Sequence, residues 1–156
     1  MDIQCASAEP VPEEDDLRGW IAAALASQPP RQDTEISLRL VDTREMSQLN
    51  QAYAGKSGPT NVLSFPADLP AELELGLLGD IVICAPVVAA EAAAQHKLPA
   101  AHWAHMAVHG TLHLLGYDHI EEDQAIAMEA LESAILADLD YPCPYRAQPS
   151  QENSLA

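Results

Sequence analysis

From Pro99 to Leu115 the chain has a run that any fold must treat as one helix. A proline suits the first helical turn, where its missing N–H is not needed. Trp103, Met106 and Leu112 are core residues by type and spacing. Along the same helix His102, His105, His109 and His113 follow at steps of three, four and four, so all of them share one stripe. Gly116 then ends the helix, glycine being the usual residue for a left-handed C-terminal stop. The fold therefore has to place this helix in or near its core while accommodating a line of imidazoles.

His109, His113 and His119 read as three ligands for one metal ion. The first two lie one helical turn apart, and a short turn after Gly116 can bring His119 back toward them. His105 with His109 is a second possible chelating register, but only the later pair precedes the glycine stop and a third histidine. His102 and His105 are read instead as cleft-lining groups or as supports for the ligands, and Asp118 as a candidate partner for an imidazole N–H or a simple turn residue. Three neutral imidazoles suit zinc, one ion per chain, and leave a fourth position open for water or substrate. The spacing matches the zinc-protease pattern H-E-x-x-H-x-x-G-x-x-H. The Glu that acts as base in those enzymes is Gly110 here, which argues against a peptidase of the usual mechanism.

The length, 156 residues, fits one domain with a real core. A formal charge of −17 repels nucleic acid at long range, so any RNA-directed role needs a local basic patch, the metal or a partner. Lys56, in a Gly-flanked loop, is the candidate substrate-binding cation; Arg39 and Arg44 are the other basic residues near such a loop. Cys5, Cys84 and Cys143 form no CxxC pair and no disulfide framework, which fits a reducing cytoplasm. No signal peptide and no membrane span is expected.

Strands are expected at about residues 1–6, Ile36–Val41, Asn61–Phe65 and Leu78–Cys84. Helices are expected around Leu17–Leu25, from the capping-box pattern Asp42–Glu45 to Gly55, from Pro86 to about Lys97, from Pro99 to Leu115, and from about Glu121 to Asp138. In the second helix Met46, Leu49 and Tyr53 form the buried side; in the last, Met128, Leu131 and Ile135 do. Asp80 is expected to be structural or solvent-facing, with a role in the site as the alternative. The resulting class is α+β, a small mixed sheet of about four strands packed with about five helices. Residues 1–140 read as a single metal-dependent hydrolase domain and residues 141–156 as an extended or disordered C-terminal tail.

The run His109-Gly-Thr-Leu-His-Leu-Leu-Gly-Tyr-Asp-His119 resembles the signature of the YbeY family of bacterial endoribonucleases, also called rRNA maturation factors. Pro59-Thr-Asn-Val-Leu-Ser-Phe-Pro66, Leu78-Gly-Asp-Ile-Val-Ile83 and Ala101-His-Trp-Ala-His-Met106 agree with it, so the likeness runs from Ile36 to Tyr145. The resemblance implies a zincin-like metal site on a core helix, with zinc on His109, His113 and His119. It also implies a single-strand-specific endoribonuclease that matures the 3′ end of 16S rRNA and serves ribosome quality control. Its implied partners are single-stranded RNA, the small ribosomal subunit and assembly factors, in the cytoplasm. One position departs: where the family usually carries an Arg that acts in the RNA cleft, this chain has Ala54, and Ser57 replaces a nearby Asp. A guanidinium lost there removes bidentate phosphate recognition. The alternative reading is a ribosome-assembly binding factor with a mainly structural metal and weak or no nuclease activity. A hydrolase of peptides or small molecules is a third.

Overall fold

A computed structural model of the chain describes residues 1–30, 34–67, 77–117 and 121–145. Its elements run β1 (Asp2–Cys5), α1 (Glu14–Ala26), β2 (Glu35–Val41), α2 (Thr43–Leu49), β3 (Val62–Pro66), β4 (Leu77–Cys84), α3 (Ala85–Ala94), α4 (Pro99–Leu114) and α5 (Glu122–Asp138). The fold is α+β, with one four-stranded mixed sheet and five α-helices among the described residues. Strand order is β1-β2-β4-β3; β1, β2 and β4 are parallel and β3 runs antiparallel to β4. Pro66 ends β3 rather than lying beyond it, which an edge strand tolerates because its outer N–H groups need no partner.

The period-two pattern of the central strands divides the interior. Ile36, Leu38, Leu40, Ile81 and Ile83 face the main core, where they meet Leu17 and Ile21 of α1 and Ala104, Val108 and Leu112 of α4. Val41, Val82 and Cys84 face the other way and are covered by Met46 of α2. Helix α4 packs against α1, α3, α5, β3 and β4, so it is the hub of the domain. Trp103, Met106 and Leu112 are buried, as their spacing requires.

Two local expectations fail at α2. Its start coincides with the capping-box pattern, but no side-chain cap forms. The Asp42 carboxylate instead accepts from the Ser7 hydroxyl and the Ala8 N–H, and Glu45 turns to Arg39. Tyr53, expected inside, is 71% exposed and meets Phe65 edge-on with ring centroids 5.3 Å apart. The cause is a π-helical turn at Asn50–Ala54, which breaks the 3.6-residue period. Asn50 takes the inward position, donating from its side chain to the Gly58 carbonyl at 2.9 Å. Helix α3 ends at Ala94, three residues early, where the Lys97 N–H returns to the Ala92 carbonyl.

Of the segment expected as a tail, residues 141–145 are described and pack on the domain: Cys143 Sγ lies 3.3 Å from Ser133 Oγ, and Lys97 donates to the Pro144 carbonyl at 3.2 Å. Tyr141 meets Trp20 edge-on at 6.3 Å, and Tyr145 reaches into the histidine stripe. The Pro- and Glu-rich loop expected before β4 falls at 68–76, outside the described residues.

Candidate metal centre and cleft

Helix α4 presents its histidines in order along one face, with successive rings 6.1, 6.0 and 4.6 Å apart. His102 and His105 are buried, while His109 and His113 are only half-buried and line a cleft of about 650 Å³. The deep end of the stripe is thus tied into the core and the shallow end is open to a ligand.

The helix terminus sets the shallow end. Gly116 adopts φ 103°, its N–H bonds the His113 carbonyl at 3.1 Å, and the Tyr117 N–H bonds the Leu112 carbonyl at 3.0 Å. This double return is a Schellman stop, and it requires the left-handed residue that glycine provides. His113 therefore sits in the last helical turn, with the chain reversing immediately after it. His119 and Asp118 lie outside the described residues.

His109 and His113 meet through their Nε2 atoms, 3.1 Å apart. On its other side His109 donates Nδ1–H to Glu132 Oε1 of α5 at 3.0 Å. Glu132 is fully buried and also accepts from His105 Nε2 at 2.5 Å and from the Tyr145 hydroxyl at 2.8 Å. Burial pushes this carboxyl up, but the hydrogen bonds from His105 and His109 outweigh it and draw the group down to about 2. Tyr145 moves the opposite way: burial and the adjacent Glu132 charge hold its phenol well above the usual range. His105, His109 and Glu132 offer donor atoms within 4.8 Å of one another and could hold a metal ion.

His102 is anchored in the same manner, by Glu91 Oε1 at 2.9 Å. Desolvation lowers its pKa, with the Glu91 hydrogen bond opposing the shift. Glu91 also accepts from the Asn61 side chain at 3.1 Å, and Asn61 lines the cleft. Two carboxylates on neighbouring helices, Glu91 of α3 and Glu132 of α5, thus hold the histidine stripe from behind.

Ala54, Lys56, Thr60, Asn61 and Ser64 of β3 line the same cleft as His109 and His113. Lys56 is the one Lys or Arg among the described lining residues, and no Asp or Glu is among them. Arg39 is elsewhere: it forms a two-point pair with Glu45, at 2.6 and 2.9 Å, beside a separate groove on the other face of the sheet. The Arg39 hydrogen bond holds the Glu45 carboxyl below its ordinary value. Arg44 is exposed on α2 and does not line the cleft among the described residues. Asp80 is exposed on the same face as Arg39.

Gly110, where a zinc protease carries its Glu, is packed on the sheet. A Cβ there would lie 2.9 Å from Ile81 Cγ2 and 3.3 Å from both Ser64 Oγ and Val62 Cγ2. The Ser64 hydroxyl also donates to the Gly110 carbonyl at 2.9 Å, drawing helix and strand together. The protease base is absent because the position faces the sheet at contact distance.

Glu132 is the functional candidate that the sequence reading missed. Its acidity is lost among 24 Asp and Glu residues. The available signal was positional: it occupies the buried stripe of α5 with Met128, Ile135 and Leu136, where a carboxylate needs a partner.

Fold and site together define a class: an α+β domain whose central helix offers imidazoles to a cleft free of carboxylates among its described lining residues. Comparison with known proteins narrows it. A profile of the family described as Endoribonuclease YbeY matches residues 3–140. A Cellvibrio japonicus (strain Ueda107) protein named Endoribonuclease YbeY is 54% identical over 146 residues, covering 93% of this chain and 82% of its own length. One of the same name from Stutzerimonas stutzeri (strain A1501) is 51% identical over 156 residues, 99% and 96% of the two chains. The chain belongs to the YbeY family. A solution structure of a Thermotoga maritima protein shares the fold, with a TM-score of 0.52 at 18% identity over 94% of this chain and 99% of that one.

Proposed function

We propose that this protein is a zinc-dependent endoribonuclease for single-stranded RNA, with one ion held by His109, His113 and His119. The observation that carries this reading is the pair of Nε2 atoms of His109 and His113, 3.1 Å apart at the cleft wall. Zinc–nitrogen bonds of about 2.0–2.1 Å in a tetrahedron place neighbouring nitrogens about 3.3–3.4 Å apart, close to that separation. His109 is held in the Nδ1–H tautomer by Glu132, so its lone pair is on Nε2, the nitrogen that faces His113. When bound, zinc supplies a Lewis acid and acidifies a water for attack on a phosphodiester.

The surrounding residues favour RNA over a peptide. The family relatives are named endoribonucleases. Gly110 leaves no room for the protease base. Although the whole chain carries −17, the described cleft lining has Lys56 and no carboxylate, so a phosphate entering it meets local attraction rather than repulsion. Thr60, Asn61 and Ser64 add polar side chains to the cleft lining. Narrower parts of the proposal rest on family membership: maturation of the 16S rRNA 3′ end, ribosome quality control, contact with the small subunit and its assembly factors, and a cytoplasmic setting. No described helix is long and apolar enough to cross a membrane.

A second reading, a ribosome-assembly binding factor with a mainly structural metal, is favoured by Ala54. This residue lines the cleft beside Lys56, so the guanidinium it lacks would point at the same space as the substrate. Ala54→Arg is therefore expected to lower the KM for single-stranded RNA about tenfold, the scale of one charge-assisted phosphate contact. Cleavage of single-stranded and duplex RNA by wild type and Ala54→Arg separates the readings. Wild-type cleavage confined to single strands supports the nuclease. Tight RNA binding with no cleavage by either protein would favour the binding factor.

A further inference from the structure

We propose that Glu132 is a positioning residue for the metal centre, holding the His109 ring by its Nδ1–H so that Nε2 faces the ion. The inference rests on the His109, His113 and His119 reading above and adds to it a specific role for α5.

The geometry argues for an orienting role in preference to a ligand role. Glu132 lies fully buried in the apolar stripe of α5, where an unpartnered carboxylate would be strongly disfavoured. Three donors converge on it: His109 on Oε1, and His105 and Tyr145 on Oε2. The His105 tautomer follows from its other nitrogen. Among the described residues Nδ1 of His105 is buried with no hydrogen-bond partner. A proton there would face nothing, and a bare Nε2 would oppose its lone pair to a carboxylate. Nε2 therefore carries the proton and donates it to Glu132. The Tyr145 hydroxyl must also donate to that oxygen, so its 3.1 Å approach to His105 Nε2 is between two donors sharing one acceptor.

The carboxylate is thus fixed from one side by His105 and Tyr145 and fixes His109 from the other. His105, His109 and Glu132 could instead bind an ion together. That arrangement would require the protons on His105 Nε2 and His109 Nδ1 to leave, displacement of the Tyr145 bond, and use of the nitrogen of His109 that faces away from His113. A histidine ligand oriented by a buried carboxylate commonly loses 10–100-fold in metal affinity when that carboxylate is removed.

The test is zinc affinity by competition with a chromophoric chelator, together with cobalt(II) absorption spectra. It uses the full chain as wild type, Glu132→Gln, Glu132→Ala and His113→Ala. Expected are affinities about tenfold weaker for Glu132→Gln and up to about a hundredfold weaker for Glu132→Ala. Glu132→Gln should keep the wild-type cobalt band pattern, and His113→Ala should lose it. Wild-type affinity in both Glu132 variants, with loss in His113→Ala, would overturn the positioning role and leave the three-histidine site standing. Wild-type affinity in His113→Ala would instead overturn the three-histidine site, and loss in Glu132→Ala alongside it would place the ion on His105, His109 and Glu132. Nitrogen-15 NMR of the metal-free wild type needs no variant to fold: His109 should carry its proton on Nδ1, and an Nε2–H tautomer would refute the proposal.

Discussion

Replacing His113 by alanine is expected to leave the purified protein without stoichiometric zinc and to lower cleavage of single-stranded RNA by more than about a hundredfold. Removing a group that merely orients a ligand already costs 10–100-fold in affinity or activity, so removing a ligand costs more. The fold should survive the change. His113 is half-buried at the end of α4, and the core beneath it is built by Leu112, Val108 and Ala104. The Schellman stop uses the backbone of residues 112, 113, 116 and 117, which an alanine leaves intact. Elemental analysis, a cleavage time course and thermal unfolding of the metal-free protein check the three parts separately. Loss of activity with full zinc content would detach His113 from the metal.

Gly110→Glu, which recreates the protease signature, is expected to abolish folding rather than to create a peptidase. The first added carbon would stand 2.9 Å from Ile81, a fully buried side chain of the central strand β4 that has nowhere to move. Even Gly110→Ala has opposing terms. Helix propensity favours alanine by about 1 kcal/mol. Overpacking a close helix–sheet contact costs about 1–3 kcal/mol. The balance is a net loss of about 1 kcal/mol, read as a lower urea midpoint. Glutamate adds a carboxylate buried between helix and sheet without a partner, several kcal/mol more, which is comparable with the 5–15 kcal/mol that holds a typical domain together. Soluble Gly110→Glu with a cooperative transition near that of the wild type would show that the helix–sheet contact is looser than described.

These two positions also show what the sequence could and could not reveal. The strip of histidines on α4 was legible because its spacing is a helical period and Gly116 marks the stop. The order of strands and helices was legible from apolar spacing in α1, β2 and α2, from the apolar run of β4, and from the prolines that open α3 and α4. Tyr53 was misplaced because a π-helical turn is not written in periodicity: the pattern of Met46 and Leu49 continues to it on paper while the backbone does not. The capping box at Asp42 was misread because both of its side chains have tertiary partners, Ser7 and Arg39, that lie 35 and 6 residues away from them. Glu132 was invisible for a related reason. Its partners His105 and His109 are 27 and 23 residues distant, and only the packing of α5 on α4 brings them together. Gly110 was legible as a missing base but not as a packing requirement, since nothing local indicates Ile81 beneath it. Periodic and local features carried over; pairings made by the folded chain did not.

The central claim is that His109, His113 and His119 hold a metal ion on which cleavage of single-stranded RNA depends. Its most direct measurement is cleavage of a single-stranded RNA by the full chain before chelation, after chelation, and after return of one equivalent of zinc. The account predicts cleavage that disappears with the metal and returns with it in the wild type but not in His113→Ala. Cleavage that persists undiminished through chelation, or that is equal in wild type and His113→Ala, would contradict it.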